Sequence, residues 1–277
     1  MERILINSPA KINFGLNIIE KRSDGFHNLE TIFYPLELSD KIIFEKSVDF
    51  SFTSNVASLE KDPTNLIIKA LKLVEEFIGR KLNVKISLQK VIPIGGGLGG
   101  GSSNAAHTLL SLNELFELKI PIEVIKTMAL QLGSDVPFFI KPICSYATSR
   151  GEILEPIDFE INKALLLVNP NIHISTKWAF QNIIPQKPKL QLKEVVRKDK
   201  SFISYRESIK NDFEEIVLKT YPELSDLKKK LYEFGADFVL MSGSGSTFFA
   251  IFSDHEIAEY AKKYYEKNYF CFLQLND

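Results

Sequence analysis

Six of the chain's fourteen glycines lie within one seven-residue window, residues 95–101. The apolar run Val91-Ile92-Pro93-Ile94 precedes the window, and Ser102-Ser103-Asn104-Ala105-Ala106 follows it. Glycine adopts positive φ angles without steric cost and lets main-chain N–H groups approach an anion closely. A helix that begins directly after such a loop adds N–H groups without intrahelical partners and the positive end of its dipole. The pattern therefore predicts a strand, a phosphate-binding loop and a helix.

Other interpretations of the glycine window are less favoured. Gly95-x-Gly97-x-x-Gly100 matches the dinucleotide fingerprint, but antiparallel strands rather than a βαβ unit are expected before it. No Gly-Lys-Ser/Thr follows, so the loop is not a P-loop of the usual kind. A flexible linker is disfavoured because the flanking segments are a tight apolar run and a well-patterned helix. Ser102 and Ser103 either cap this helix or supply hydroxyl contacts to a ligand.

Composition excludes several classes of protein. The 277 residues suffice for one large domain or two medium ones. A net charge of −1, from 34 Lys and Arg against 35 Asp and Glu, argues against a nucleic-acid partner, which needs a basic excess. The cysteines are Cys144 and Cys271, too few for a disulfide framework or a cysteine-rich metal site. The histidine spacing also suggests no metal ligand set, so we expect no metal held by the protein alone.

Localisation is predicted from what the sequence lacks. No apolar stretch approaches the roughly 20 residues that span a bilayer. The first residues, Met1-Glu2-Arg3-Ile4-Leu5-Ile6, do not have the layout of a targeting peptide. We expect a cytoplasmic enzyme that does not bind membranes, as a monomer or a weak homodimer.

Hydrophobic periodicity predicts an α+β fold. Strands are expected at residues 10–18, 29–38, 41–46, 82–88, 163–169, 238–241 and 247–252. Helices are expected at residues 64–79, directly after the glycine window, and at 121–132, 208–218, 223–234 and 255–267. Residues 185–200 are rich in lysine and proline and predict a surface linker or insertion. A break near residue 150 predicts an N-terminal, phosphate-binding domain over 1–152 and a C-terminal, substrate-side domain over 153–277.

Two ionisable residues are candidates for chemistry at a bound phosphate. Lys11 lies on the polar face of the alternating strand 10–18, where a solvated lysine is the interpretation that the strand pattern alone favours. Asp135 follows a helix stop at Gly133, where capping of a short helix would also account for an aspartate. Phosphoryl transfer needs a group that accepts the hydroxyl proton and a cation that stabilises charge. A Lys–Asp pair across a phosphate loop would supply both.

A third candidate is the turn Ser242-Gly243-Ser244-Gly245-Ser246 between two predicted strands. Its residues are small enough to let a ligand or another stretch of backbone pass close. A hairpin turn without a further role is an equally good interpretation.

Three blocks of this sequence resemble, in order, the three motifs of the GHMP small-molecule kinases. The blocks are Ser8 to Asn13, Pro93 to Ala106 and Met241 to Phe252, and they extend over nearly the whole chain. The resemblance implies the two-lobe GHMP kinase fold, with ATP and substrate in the cleft between the lobes. It also implies that ATP, with Mg²⁺ neutralising its phosphates, gives its γ-phosphoryl group to an alcohol.

The same resemblance implies roles for individual residues. Asp135 becomes the expected general base, and Lys11 becomes the group that positions it and favours deprotonation of the substrate. ATP binding is assigned to the glycine window, to the two residues on either side of it and to two residues near the adenine. These residues are Pro93, Ile94, Gly95, Gly96, Gly97, Leu98, Gly99, Gly100, Gly101, Ser102, Ser103, Asn65 and Leu66.

Two further segments resemble one subgroup of the family. They are Arg22-Ser23-Asp24-Gly25-Phe26-His27 and Leu132-Gly133-Ser134-Asp135-Val136-Pro137-Phe138-Phe139. Members of this subgroup phosphorylate the 2-hydroxyl of a cytidine diphosphate-linked methylerythritol in non-mevalonate isoprenoid precursor biosynthesis. The resemblance implies the same small-molecule substrate here, with Asn13 facing the methylerythritol.

The resemblance also implies a cytosine site. His27 is expected to hydrogen-bond the cytosine and Phe26 to stack on it, because a base offers a π-face to an aromatic ring. The family commonly has tyrosine at position 26, so Phe26 keeps the stacking surface and lacks the phenol hydroxyl. The second aromatic wall is Phe180 or, alternatively, Trp178.

Two other functions compete with this interpretation. One is a GHMP kinase for a small alcohol such as homoserine or a mevalonate derivative, against which Phe26-His27 and an aromatic near residue 180 argue. The other is a nucleotide-binding protein without turnover, against which the presence of Lys11, Asp135 and the full glycine loop argues.

Overall fold

Two long strands, β1 (Arg3–Lys21) and β2 (His27–Lys46), pair with each other on either side of a turn at Asp24-Gly25. They belong to a computed structural model that describes residues 2–198 and 201–276. The alternation predicted for residues 10–18 is confirmed as part of β1. On the polar face of this segment, Lys11, Asn13 and Gly15 are buried, as its apolar face is. Strand β1 therefore carries functional candidates into the interior.

The remaining elements make the fold α+β, as predicted. The other strands are β3 (Ser51–Ser54), β4 (Val84–Gln89), β5 (Ser145–Ser149), β6 (Ile153–Pro156), β7 (Ala164–Asn169), β8 (Phe238–Met241), β9 (Phe248–Phe252) and β10 (Phe270–Gln274). The α-helices are α1 (Ala57–Glu60), α2 (Leu66–Ile78), α3 (Gly100–Leu115), α4 (Ile122–Leu132), α5 (Thr176–Asn182), α6 (Leu192–Lys198), α7 (Tyr205–Ser208), α8 (Phe213–Thr220), α9 (Pro222–Glu233) and α10 (His255–Tyr265). A 3-10 helix spans Val136–Ile140.

The chain forms two compact units. Unit 1 contains residues 2–10, 36–94 and 99–142, and unit 2 contains residues 11–35, 95–98, 143–198 and 201–276. The chain thus passes between the units several times, and strands β1 and β2 each contribute to both. The functional division into domains 1–152 and 153–277 stays a prediction.

Unit 1 combines a three-stranded ladder with helices α2, α3 and α4. Strand β4 pairs with β3 in parallel and with residues Lys41 to Lys46 of β2 in antiparallel orientation. Helix α3 buries Ala105, Ala106 and Leu109. This helix begins at Gly100, within the glycine window, so its packing fixes the last residues of the window.

Unit 2 contains an antiparallel sheet with the strand order β10-β7-β9-β8. It also contains the first half of β2, which pairs with β5, and β5 pairs in turn with β6. The ring of Phe14 on β1 packs against Phe159, Phe238 and Phe249, with centroid distances of 4.7, 5.3 and 5.9 Å. This aromatic cluster anchors β1 within the unit.

Several predicted elements differ from the structure. The strands expected at 29–38 and 41–46 are one strand, β2, and the helix expected at 208–218 is divided into α7 and α8. Asn211 lies between these two helices, and its Nδ2 donates to the carbonyl oxygens of Met241 and Gly243 at 2.7 and 2.8 Å. These long-range hydrogen bonds hold the backbone out of a helix that local propensity favours.

The prediction of a linker over 185–200 is wrong for its second half. Helix α6 begins at Leu192, and Leu192, Val195 and Val196 are buried. Their i, i+3, i+4 spacing is helical, but it is too short to stand out among the lysines. Leu192 packs directly over Gly15, where an added Cβ would lie 2.8 Å from Leu192 Cδ2. Residues 199–200 lie outside the described part of the chain.

Candidate active site

The glycine window forms a loop whose backbone requires glycine. Gly95, Gly97 and Gly99 have φ angles of +68°, +79° and +70°. Residues with side chains avoid this left-handed region, so the alternating glycines fix the course of the loop. Leu98 lies between two of them and is buried, which anchors the loop through its side chain. The predicted loop between a strand and a helix is confirmed between β4 and α3.

The first half of the loop, residues 95–98, is held within unit 2 by strand β1 and by Ser242. The backbone N–H of Lys11 donates to the carbonyl oxygen of Leu98 at 3.0 Å. The Ser242 hydroxyl donates to the carbonyl oxygen of Gly97 at 2.9 Å and accepts from the backbone N–H of Asn13 at 3.1 Å. One buried hydroxyl therefore joins β1 to the glycine loop.

The turn over residues 242–246 packs against this half of the loop. A Cβ on Gly97 would lie only 2.0 Å from the carbonyl oxygen of Ser242, and one on Gly243 would lie 3.3 Å from the carbonyl oxygen of Gly97. The N–H of Thr247 adds a hydrogen bond of 3.3 Å to the carbonyl oxygen of Gly96. The small residues of the turn thus let another backbone pass close, which is one of the interpretations that the sequence left open.

The second half of the window begins helix α3 in unit 1. Gly99 is the N-cap residue and supplies no side-chain cap, so capping by Ser102 or Ser103 is not what starts the helix. The Ser103 hydroxyl instead accepts a hydrogen bond of 2.8 Å from the Ser8 hydroxyl. Gly101 is exposed, and a Cβ added there would have Leu66 Cδ1 as its nearest atom, at 3.8 Å. The first turn of α3 therefore leaves room at Gly101.

Asn65 and Leu66 lie where α2 begins, and Leu66 lies beside the glycine window. The Asn65 side chain caps α2 by accepting from the N–H of Ile67 at 2.9 Å. Its amide nitrogen donates to the carbonyl oxygen of Leu59 at 3.0 Å. Asn65 therefore caps α2 and holds the preceding turn through its side chain, while Leu66 lies next to Gly101.

A buried ion pair lies behind the start of α3. The Lys90 ammonium is 2.7 Å from Asp40 Oδ2, and Asp40 Oδ1 accepts from the N–H groups of Val91 and Ile92 at 2.7 and 2.8 Å. Lys90 Nζ would also lie 3.0 Å from a Cβ added to Gly100. Burial lowers the pKa of Lys90, and the carboxylate of Asp40 opposes this shift. The pair has no local sequence signal, because its members are fifty residues apart.

Lys11 is buried within unit 2 rather than solvated, with 3% of its surface exposed. Its ammonium donates to Asn13 Oδ1 at 2.5 Å and lies 4.7 Å from the ring centroid of Phe33. Asn13 Nδ2 donates to the Thr31 hydroxyl at 3.0 Å, and that hydroxyl donates to the carbonyl oxygen of Gly15 at 2.5 Å. Thr31 and Phe33 were missed, although their two-residue spacing places them on one face of β2.

Asp135 belongs to unit 1 and is half-buried at the start of the 3-10 helix. It occupies the N-cap position, but its side chain makes no capping hydrogen bond. Capping therefore does not account for an aspartate at this position. A functional pairing of Asp135 with Lys11 stays a prediction.

The residues expected at a nucleobase lie in unit 2. The His27 ring stacks on Phe180 with a centroid distance of 5.0 Å and an interplanar angle of 23°. Phe180 in turn packs edge-on against Phe213 at 5.0 Å. Trp178 packs edge-on against Tyr221 at 6.2 Å. Of the two aromatics left open by the sequence, Phe180 is the one in contact with His27.

Phe26 and His27 are adjacent in sequence but differ in environment. The Phe26 side chain is 48% exposed, whereas His27 is buried. Burial lowers the pKa of His27, and the charge of Lys21 lowers it further. The imidazole is therefore neutral at pH 7 and has one donor and one acceptor nitrogen.

Among residues 2–198 and 201–276, no three or more His, Cys, Asp or Glu side chains are grouped to hold a metal ion. Within the same ranges, no helix has the length and apolar character needed to cross a bilayer.

Comparison with known proteins gives the class of this chain. The model for the N-terminal domain of GHMP kinases matches residues 65–141, and the model for the GHMP kinase C-terminal domain matches residues 195–270. The chain belongs to the GHMP kinase family and is a small-molecule kinase by class. The fold predicted from the three sequence motifs is thereby confirmed.

The relatives indicate which branch of the family this chain resembles. It is 38% identical over 275 residues to the 4-diphosphocytidyl-2-C-methyl-D-erythritol kinase of Chlorobium phaeobacteroides, covering 97% of this chain and 96% of that protein. It is 42% identical over 253 residues to the enzyme of the same name from Bacteroides fragilis, covering 89% and 91%. A crystal structure of 4-(cytidine 5'-diphospho)-2C-methyl-D-erythritol kinase superposes with a TM-score of 0.82 at 29% identity, covering 98% of both chains.

The close approach at Gly97 leads to a stability prediction. Gly97→Ala should lower the free energy of unfolding by at least about 2 kcal/mol, since a left-handed residue with a side chain is strained and its Cβ would overlap Ser242. Gly101→Ala is the matched control, because its Cβ has room and alanine favours a helix. Urea unfolding of both variants measures the difference. Equal stability of Gly97→Ala and the natural protein would contradict the close approach between Gly97 and the Ser242 carbonyl oxygen.

Proposed function

We propose that this protein transfers the γ-phosphoryl group of ATP to the 2-hydroxyl of 4-diphosphocytidyl-2-C-methyl-D-erythritol, a step of isoprenoid precursor biosynthesis. The observation that carries the proposal is the 38–42% identity, over most of the chain, to relatives that bear this enzyme's name. The arrangement of the glycine loop, Lys11 and the Phe26-His27 segment is compatible with this reaction.

In this proposal the loop from Pro93 to Ser103 receives the ATP phosphates, with Asn65 and Leu66 near the adenine. The backbone fits such a ligand, because three glycines with positive φ alternate in the loop and Gly101 is exposed with open space beside it. Main-chain N–H groups of this kind bind anions without a cationic side chain in the loop. Mg²⁺ that arrives with the nucleotide neutralises part of the phosphate charge.

The chemical step needs a proton acceptor and a cation. The oxygen of the substrate hydroxyl forms a bond to the γ-phosphorus while the bond to the β-phosphate oxygen breaks and ADP leaves. Asp135 accepts the proton of the hydroxyl, and Lys11 orients the reacting groups and stabilises negative charge. The burial of Lys11 supports this role, because an ammonium in a low dielectric interacts more strongly with an anion than one in water does.

The cytidine end of the substrate is assigned to Phe26, His27 and Phe180. The neutral imidazole of His27 offers a hydrogen bond to the cytosine, and the exposed Phe26 ring offers a stacking surface. Asn13 faces the methylerythritol in this proposal. The contact of its amide with the Lys11 ammonium supports a position close to the reacting groups.

The experiment that tests the proposal measures ADP release with Mg²⁺-ATP and three alcohols in parallel. We expect turnover with 4-diphosphocytidyl-2-C-methyl-D-erythritol and at least about a hundredfold lower kcat/KM with homoserine or mevalonate, which have no base to bind. Preferred turnover of either small alcohol would overturn the substrate assignment and leave the kinase class intact. Binding of ATP without turnover of any of the three would indicate a protein that has lost catalysis.

A second test addresses the proton acceptor. Asp135→Asn should lower kcat by about a thousandfold or more, because the amide cannot accept the hydroxyl proton. Calorimetry should show ATP affinity within about threefold of the natural protein's, since the substitution leaves the glycine loop unchanged. The matched control is Asp226→Asn on the exposed side of α9, for which we expect unchanged kcat. Near-normal turnover by Asp135→Asn would refute the assignment of the base.

A further inference from the structure

The turn that carries Phe26 is fixed by a network centred on Arg22. The Arg22 guanidinium pairs with Asp24 at 2.9 Å, and Asp24 Oδ1 accepts from the backbone N–H of Phe26 at 3.1 Å. The backbone N–H of Arg22 donates to the carbonyl oxygen of Phe26 at 2.8 Å. The Arg22 side chain also donates to Asn28 and to the Ser149 hydroxyl, at 3.1 and 3.0 Å. The backbone of Phe26 is therefore held on both sides and tied to the end of β5.

The Phe26 ring is covered by a cation. The guanidinium carbon of Arg150 lies 4.4 Å from the ring centroid. The Arg150 side chain is only 22% exposed, whereas Phe26 is 48% exposed. The guanidinium therefore occupies part of the ring surface, while Phe26 keeps much of its own surface exposed to solvent.

Arg150 is held in place by the turn between β5 and β6. Ser149 and Gly151, on either side of it, have φ angles of +63° and +108°. A serine in the left-handed region is strained and persists where its surroundings fix it. Glu152 provides this support by accepting from the Arg150 N–H at 2.7 Å and from the Ser149 hydroxyl at 3.0 Å.

We propose that Arg150 is a positioning residue for the nucleobase end of the substrate. It holds the Phe26 ring from one face so that the uncovered face receives the cytosine. A ring without a polar group has no hydrogen bond to fix its orientation, and a stacked guanidinium supplies this restraint. A surface that is already ordered binds a base at a lower entropic cost than a rotating ring does. This inference rests on the proposed function, since it assigns a cytidine-linked substrate to Phe26.

The test is a double-mutant cycle on Arg150 and Phe26. Steady-state assays should give Arg150→Ala a roughly three- to tenfold higher KM for 4-diphosphocytidyl-2-C-methyl-D-erythritol, with kcat and the KM for ATP changed less than about twofold. Arg150→Lys should recover part of the loss, because an ammonium also interacts with an aromatic face. In a Phe26→Leu background, Arg150→Ala should add less than about a twofold change. Arg197→Ala, at an exposed site on α6, is the matched control and should behave like the natural protein.

The outcomes separate this inference from the proposed function. An unchanged KM in Arg150→Ala, with normal turnover by the natural protein, would overturn the role of Arg150 alone. An equal rise of KM in both backgrounds would show that Arg150 contacts the substrate itself rather than acting through Phe26, and would also overturn it. Failure of the natural protein to use the cytidine-linked substrate would overturn the proposed function and this inference together. Calorimetric binding of CDP gives the same comparison without turnover, and thermal unfolding verifies that each variant is folded.

Discussion

The hydroxyl of Ser242 is the contact on which the geometry of unit 2 depends. It accepts from the N–H of Asn13 and donates to the carbonyl oxygen of Gly97, and it is fully buried. Loss of this hydroxyl would leave both backbone groups without the hydrogen-bond partner that it provides. Because a Cβ on Gly97 would overlap the carbonyl oxygen of Ser242, the loop must have glycine there for the contact to exist. The register of β1, the turn after β8 and the course of the glycine loop are thus fixed together.

The Lys11 ammonium is buried in the same unit as residues 95–98 of the glycine loop, and neighbouring side chains stabilise its charge. An isolated charge is costly to bury, and the Asn13 amide and the Phe33 ring both stabilise the Lys11 ammonium. The Asn13 side chain is itself oriented by Thr31. Asn13 therefore contacts both groups: its backbone N–H donates to the Ser242 hydroxyl, and its side-chain amide accepts from the Lys11 ammonium. Displacement of the turn would move the loop and the cation together.

The parts of the fold that were predictable from the sequence are those with a local signal. The glycine window, the alternation of β1 and the amphipathic α2 each carry their pattern within a short stretch of chain. The contact between Ser242 and Gly97 joins residues 145 positions apart, and no local pattern encodes it. The same limit explains why Asn211 interrupts a predicted helix. Helix α6 was missed for a different reason, because its apolar pattern is local but short. The candidate site was found largely through its motifs, whereas Thr31, Arg150 and the Lys90–Asp40 pair depend on packing between distant segments.

The most direct test of the role of Ser242 is the kcat/KM of Ser242→Ala for the cytidine-linked substrate and for ATP. We expect a loss of at least about tenfold for both, since a buried N–H and carbonyl left unsatisfied cost about 1–3 kcal/mol each and the loop can no longer be held. Ser204→Ala is the control, because its exposed hydroxyl donates to the carbonyl oxygen of nearby Ser201, and it should retain full activity. A Ser242→Ala enzyme with unchanged kcat/KM would contradict the claim that this hydroxyl sets the geometry of the glycine loop.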